Sequence, residues 1–259
     1  MPPSGLRPSV PAMLRAALLV ILFIGSARAS ADEALVAVAA NFARTTEALA
    51  EAYEAESGHT ITISSGSTGQ LYARIVQGAP YDAFLSADAE RPAMLVESGQ
   101  AVAGSRFTYA VGRLALWSVD PDRIGPEGAA ALSGGFRFLA IANPRTAPYG
   151  AAAVEVLETL GLTETVADRL VTGTDVGAAY AFIASGNAEL GFIALSQLPD
   201  GQGSAWIVPE ELHAPLAQDA VLLTRGADNP AALGFLAFLR SEEARAVIEA
   251  AGYGAGDRE

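Results

Sequence analysis

The sequence predicts an α/β protein with parallel or mixed sheets, organised as two lobes. Three observations predict it. Apolar strand-like stretches alternate with helical patterns through most of the 259 residues. Four times such a stretch passes through a small-residue junction into a helix: Ala39-Ala40-Asn41-Phe42, Gly66-Ser67-Thr68-Gly69, Ala147-Pro148-Tyr149-Gly150 and Thr174-Asp175-Val176-Gly177. With 51% hydrophobic and 17% charged residues, the chain can bury a sizeable core.

The elements follow in order. Arg7 and Arg15 flank a start region, and Ala16 to Ile24 is an apolar run too short to span a bilayer. Small residues then offer cleavage sites at Ala27-Arg28-Ala29 and Ala29-Ser30-Ala31, so residues 1–31 read as a secretory signal peptide. Leu35 to Ala39 is a buried strand. A helix follows with Phe42, Thr46, Leu49 and Tyr53 on one face, ended by Gly58. Thr60 to Ser64 and Ala83 to Ser86 are strands, and Leu71 to Gln77 and Pro92 to Ser98 are short helices. Phe107 to Ser118 is one long stretch of strand character. Phe138 to Ala142, Leu190 to Ala194 and Ala220 to Thr224 are further strands, and Ala151 to Leu160 is a helix with Val154, Leu157 and Leu160 inward. Two helices close the chain, one capped by Asn229 with Pro230 in its first turn, the other by Ser241 with Glu242 and Glu243 behind it. Phe107–Ser118 and Pro215–Thr224 are the candidate crossings between lobes. Residues 32–112 and 218–259 then form lobe 1, and residues 113–217 lobe 2.

Composition narrows the function. There is no cysteine, which removes disulfides, thiolate metal sites, cysteine nucleophiles and a lipid-anchored form. The formal charge is −13, made three units more negative when Arg7, Arg15 and Arg28 leave with the leader, and there is no lysine. That balance argues against nucleic acid and anionic membrane surfaces as partners. The expected product is free in the periplasm and monomeric.

Enzyme motifs are missing. A P-loop needs a lysine, and no G-x-G-x-x-G follows a strand. Ser67 superficially resembles a nucleophile-elbow serine, but position 65 is serine where that motif needs glycine. His59 and His213 are isolated, so neither a catalytic imidazole nor a histidine metal site is expected. Asp82, Asp88 and Asp175 read as capping and turn residues. What remains is donors. Each helix start leaves about four backbone N–H groups without an intrahelical partner and carries roughly half a positive charge. Several aimed at one point would hold a multiply charged anion without a cationic side chain. Asn41 is the expected cap of the first helix, with its amide free to donate. Ser67 and Thr68 add hydroxyls, Tyr149 follows a proline, and Val176 offers its backbone.

These junctions, with Gly78-Ala79-Pro80-Tyr81-Asp82, Ser86-Ala87-Asp88, Asn143-Pro144, Gly191-Phe192-Ile193-Ala194 and the ending Ala250-Ala251-Gly252-Tyr253, resemble the periplasmic molybdate-binding proteins of ABC uptake systems. The resemblance runs in order through the chain after the leader. It implies a type II periplasmic solute-binding fold, two α/β lobes joined by two crossing strands with the ligand in the cleft. It implies a tetrahedral oxyanion, molybdate or tungstate, held by neutral hydrogen bonds from Ala40, Asn41, Ser67 or Thr68, Tyr149 and Val176. Molybdenum would enter as the oxyanion, with no direct protein ligand, no catalytic residue and no other cofactor. The partner implied is an ABC permease with its ATPase. Ala40 stands where family members often carry serine or threonine, and Ala194 where many carry tyrosine, which places the chain with the subgroup using an Asn41-type site. A carrier of sulfate or thiosulfate, a serine hydrolase built on Ser67, and the effector domain of a transcription regulator are the competing readings.

Overall fold

A computed structural model describes residues 32–256; the expected leader, 1–31, lies outside them. The strands are β1 (Glu33–Ala39), β2 (Thr60–Gly66), β3 (Ala83–Leu85), β4 (Phe107–Gly112), β5 (Leu114–Ser118), β6 (Leu139–Ala142), β7 (Leu170–Gly173), β8 (Leu190–Ala194), β9 (Ser204–Ile207), β10 (Leu216–Leu222) and β11 (Gly254–Ala255). The α-helices are α1 (Ala43–Ser57), α2 (Thr68–Val76), α3 (Glu90–Glu97), α4 (Pro148–Thr159), α5 (Thr163–Val166), α6 (Val176–Ala184), α7 (Pro230–Phe238) and α8 (Glu242–Ala250).

Two mixed sheets organise these elements. The first has the order β11-β4-β10-β3-β1-β2, the second β7-β6-β8-β5-β9. β1 is parallel to β2 and β3, and β6 to β7 and β8, while β10 and β5 run antiparallel to their neighbours. Both sheets are covered on both faces, which explains why their central strands are apolar at nearly every position. In β1, Ala34, Val36 and Val38 pack with Leu49 and Tyr53 of α1 and Phe235 of α7, while Ala37 turns to Leu71 and Ile75 of α2 and Leu95 of α3. β5 repeats the pattern. Leu114 and Leu116 join Val156 and Leu157 of α4, and Ala115 and Trp117 join Ala179 and Ile183 of α6. Adjacent strand residues point to opposite faces, so one short strand serves two cores.

Several boundaries differ from the sequence reading. The long stretch at 107–118 is two strands in different sheets, β4 and β5, joined at Arg113. β10 lies wholly in the first sheet, with Leu216 opposite Gly112 and Ala217 opposite Val111. Leu216 and Ala217, expected in the second lobe, thus pair with β4 of the first sheet. α2 and α4 each begin one turn earlier than expected, at Thr68 and Pro148. Val154, expected inward on α4, is only half-buried, and Val156 takes the core position beside Leu157. Ser241 and Asn229 cap α8 and α7 as expected. Asn41 does not cap α1. The helix starts at Ala43, and Phe42 holds the capping position without a side-chain hydrogen bond.

Candidate binding site

β1, β2 and β7 end at three of the junctions, and β6 leads through residues 143–146 to the fourth, so each sheet supplies two. The carboxyl ends of parallel strands, where helices begin, are the usual ligand-binding edge of such sheets. Here the four edges face one another. A small pocket is lined by Ala39, Ala40 and Asn41, by Gly66, Ser67 and Thr68, by Ala87, by Ala147, Pro148 and Tyr149, and by Asp175 and Val176. All six residues expected at the site, Ala40, Asn41, Ser67, Thr68, Tyr149 and Val176, are among them.

Their donors divide into free and committed groups. The backbone N–H groups of Asn41, Thr68, Tyr149 and Val176 have no acceptor among the described residues. Ser67 accepts from the Gln70 N–H at 3.4 Å, and Thr68 Oγ1 accepts from the Ala87 N–H at 3.1 Å. Both hydroxyls therefore keep their own hydrogen for another acceptor. Ala40 contributes no donor: its N–H goes to Gly66 O at 2.9 Å, leaving only its methyl group at the wall. Asp175 is the one charged side chain lining the pocket, and its carboxylate is occupied by the Ala178 N–H at 2.9 Å and the Thr174 hydroxyl at 3.2 Å. Arg145 is exposed and lines no part of the pocket. His59 accepts from the Asp32 N–H, and His213 lies beside Ala214 O, so no imidazole approaches Ser67.

Residues 34–254 match the model of the bacterial extracellular solute-binding protein family. The chain belongs to this family. It is 50% identical to the molybdate-binding protein ModA of Azotobacter vinelandii over 87% of its own length and 91% of that protein. It is 48% identical to the ModA of Rhodobacter capsulatus, over 94% and 97% of the two chains. The solved periplasmic molybdate-binding protein of Azotobacter vinelandii superposes with a TM-score of 0.83 at 42% identity, covering 85% of this chain and 98% of that one. The fold is thus the periplasmic solute-binding fold that the motifs imply.

In this member of the family the two halves touch on both sides of the pocket. The Gly69 N–H donates to Thr146 O at 2.8 Å. A Cβ on Gly69 would sit 3.0 Å from Thr146 Cα, so glycine permits the approach. On the other side, Ser196 Oγ donates to Asn41 O at 3.2 Å, and Tyr253 Oη donates to the same carbonyl at 2.7 Å.

Behind the pocket lies a polar network that no local motif announces. The Asn41 amide donates to Gln218 Oε1 at 2.9 Å and to Tyr253 Oη at 3.2 Å. Its side chain is therefore spent inside the protein rather than on a ligand, and the backbone N–H is what Asn41 offers the pocket. Gln218 Nε2 donates to Tyr149 Oη at 3.1 Å. Burial pushes the Tyr109, Tyr149 and Tyr253 hydroxyls above the ordinary phenol value of 10.0, so all three are neutral donors at any physiological pH.

That burial has a consequence for stability. The unfolded chain releases phenolic protons near pH 10 while the native chain holds them, so stability is full below about pH 10 and falls as pH rises beyond it. Loss of far-ultraviolet circular dichroism is expected to coincide with a steep rise in tyrosinate absorbance at alkaline pH. Titration of all seven tyrosines in a chain that stays folded would contradict the burial of these three rings.

Proposed function

We propose that this protein is a periplasmic carrier that captures molybdate or tungstate and delivers it to an ABC permease. It acts as a monomer and catalyses no reaction. The observation that carries the reading is the set of unspent donors from both sheets, the N–H groups of Asn41, Thr68, Tyr149 and Val176 and the hydroxyls of Ser67 and Thr68, around a pocket without a cationic side chain. Identity near 50% to proteins named for molybdate binding supports the choice of anion. Residues 32–112 with 216–256 serve as one lobe and residues 113–215 as the other, closing on the anion between them.

Hydrogen bonds to a charged acceptor contribute roughly 1.5–3 kcal/mol each, so five or six leave about 8–12 kcal/mol after association costs, or micromolar to nanomolar affinity. The free N–H and O–H groups favour a fully deprotonated oxyanion, since the Asp175 carboxylate at the wall is already taken by the Ala178 N–H and the Thr174 hydroxyl. Molybdate and tungstate have longer metal–oxygen bonds than sulfate has sulfur–oxygen bonds, and a rigid cage can leave donors unpaired around the smaller ion. Isothermal titration with molybdate, tungstate, sulfate and phosphate tests the reading. Tight binding of the first two with weak binding of the others is expected; parity of sulfate with molybdate would overturn the assignment.

A further inference from the structure

Gln218 does not line the pocket, yet it ties together the two junctions that contribute donors from opposite sheets. Its side chain is fully buried, at 0% exposure. Oε1 accepts from the Asn41 amide at 2.9 Å and from the Tyr109 hydroxyl at 3.0 Å. Nε2 donates to the Tyr149 hydroxyl at 3.1 Å. Asn41 and Tyr149 each carry one of the free backbone N–H groups of the pocket, one from the β1 edge and one from the β6 edge.

The backbone is shaped around this arrangement. β10 changes register between Gln218 and Asp219, at the position that carries the side chain. At the end of the neighbouring strand β4, Gly112 leaves space that no other residue could: a Cβ there would fall 2.3 Å from Tyr149 Oη and 2.5 Å from Gln218 Nε2. The glutamine amide, with one acceptor and one donor end, is the group that can receive from Asn41 and give to Tyr149 at once. A buried chain of this kind is stiff when every member is satisfied.

We infer that Gln218 is a positioning residue that sets the spacing between the Asn41 and Tyr149 donors, and thereby the size of anion the closed pocket prefers. The inference rests on the oxyanion-carrier reading above. A cage of fixed width rewards an ion that fills it and penalises a smaller one; a cage free to relax distinguishes them less.

The test is Gln218→Met, with Gln218→Asn beside it. Methionine keeps the volume and removes all three hydrogen bonds. Asn41 keeps Tyr253 and Tyr109 keeps Ser86 O as partners. Asparagine keeps the amide and shortens its reach, so it carries the test should the methionine variant not fold. Titration of each variant with molybdate, and displacement by sulfate, gives the ratio of the two affinities. The expected result is a loss of about 10- to 50-fold for molybdate, in line with two or so disturbed hydrogen bonds, against a change of less than about threefold for sulfate. Equal losses for both anions, or an unchanged ratio, would overturn the inference. Wild-type protein that bound neither anion would instead remove the carrier reading itself.

Discussion

Thr68→Val is expected to weaken molybdate binding by about 10- to 100-fold, the value of one hydrogen bond to a charged acceptor. Thr68 is 1% exposed and sits at the first position of α2, where its N–H has no helical partner. Its hydroxyl oxygen is already taken as an acceptor by Ala87, which leaves the hydrogen as the part available to the pocket. Valine preserves shape and removes that hydrogen. It also strips Ala87 of its acceptor, so the ligand-free protein should lose about 1–3 kcal/mol of stability as well. Calorimetric titration and a thermal melt separate the two effects. Wild-type affinity in a folded Thr68→Val protein would place the anion elsewhere.

Gly69→Ala should act with opposite signs on the two measurements. Alanine in the first turn of a helix is favoured over glycine by about 0.5–1 kcal/mol, so the ligand-free protein should melt at a slightly higher temperature. Yet the new Cβ would stand 3.0 Å from Thr146 Cα and 3.1 Å from Thr146 O, across the line where the two halves meet. That contact must open by a few tenths of an ångström, which lengthens the Gly69–Thr146 hydrogen bond and disfavours the closed arrangement that brings both donor sets to the anion. A loss of about tenfold in molybdate affinity is expected. An alanine variant that is more stable and binds as tightly as wild type would show that this contact does not limit closure.

The fold was legible where local chemistry and burial agree. The apolar runs of β1, β6 and β8, the Asn229-Pro230 and Ser241-Glu242 helix starts, and the four small-residue junctions all have causes within a few residues. The early starts of α2 and α4 were hidden because Gly69 and Gly150 lower the helix propensity of those first turns, and contacts across the fold hold them in place. Gly150 shows why: a Cβ there would lie 2.3 Å from Ala142 O, so the turn packs directly on the end of β6. Asn41 misled for a different reason. Its residue type favours capping, but its amide is drawn to Gln218 and Tyr253, far along the chain. Gln218, Tyr109 and Ser196 had no local signal at all, since a single polar residue in an apolar strand or loop acquires meaning only from partners brought to it by folding. β9 was missed because it is half-exposed and short.

The division of the cage between two sheets also bears on how its cargo leaves. Asn41, Ser67 and Thr68 belong to one half, Tyr149 and Val176 to the other. Neither group alone has the number of contacts that the whole cage has, and no positive side chain stays behind to retain the ion once they part. Unloading on this reading is therefore a mechanical event: prying the halves apart splits one strong grip into two feeble ones, with no proton to add and no counter-ion to exchange.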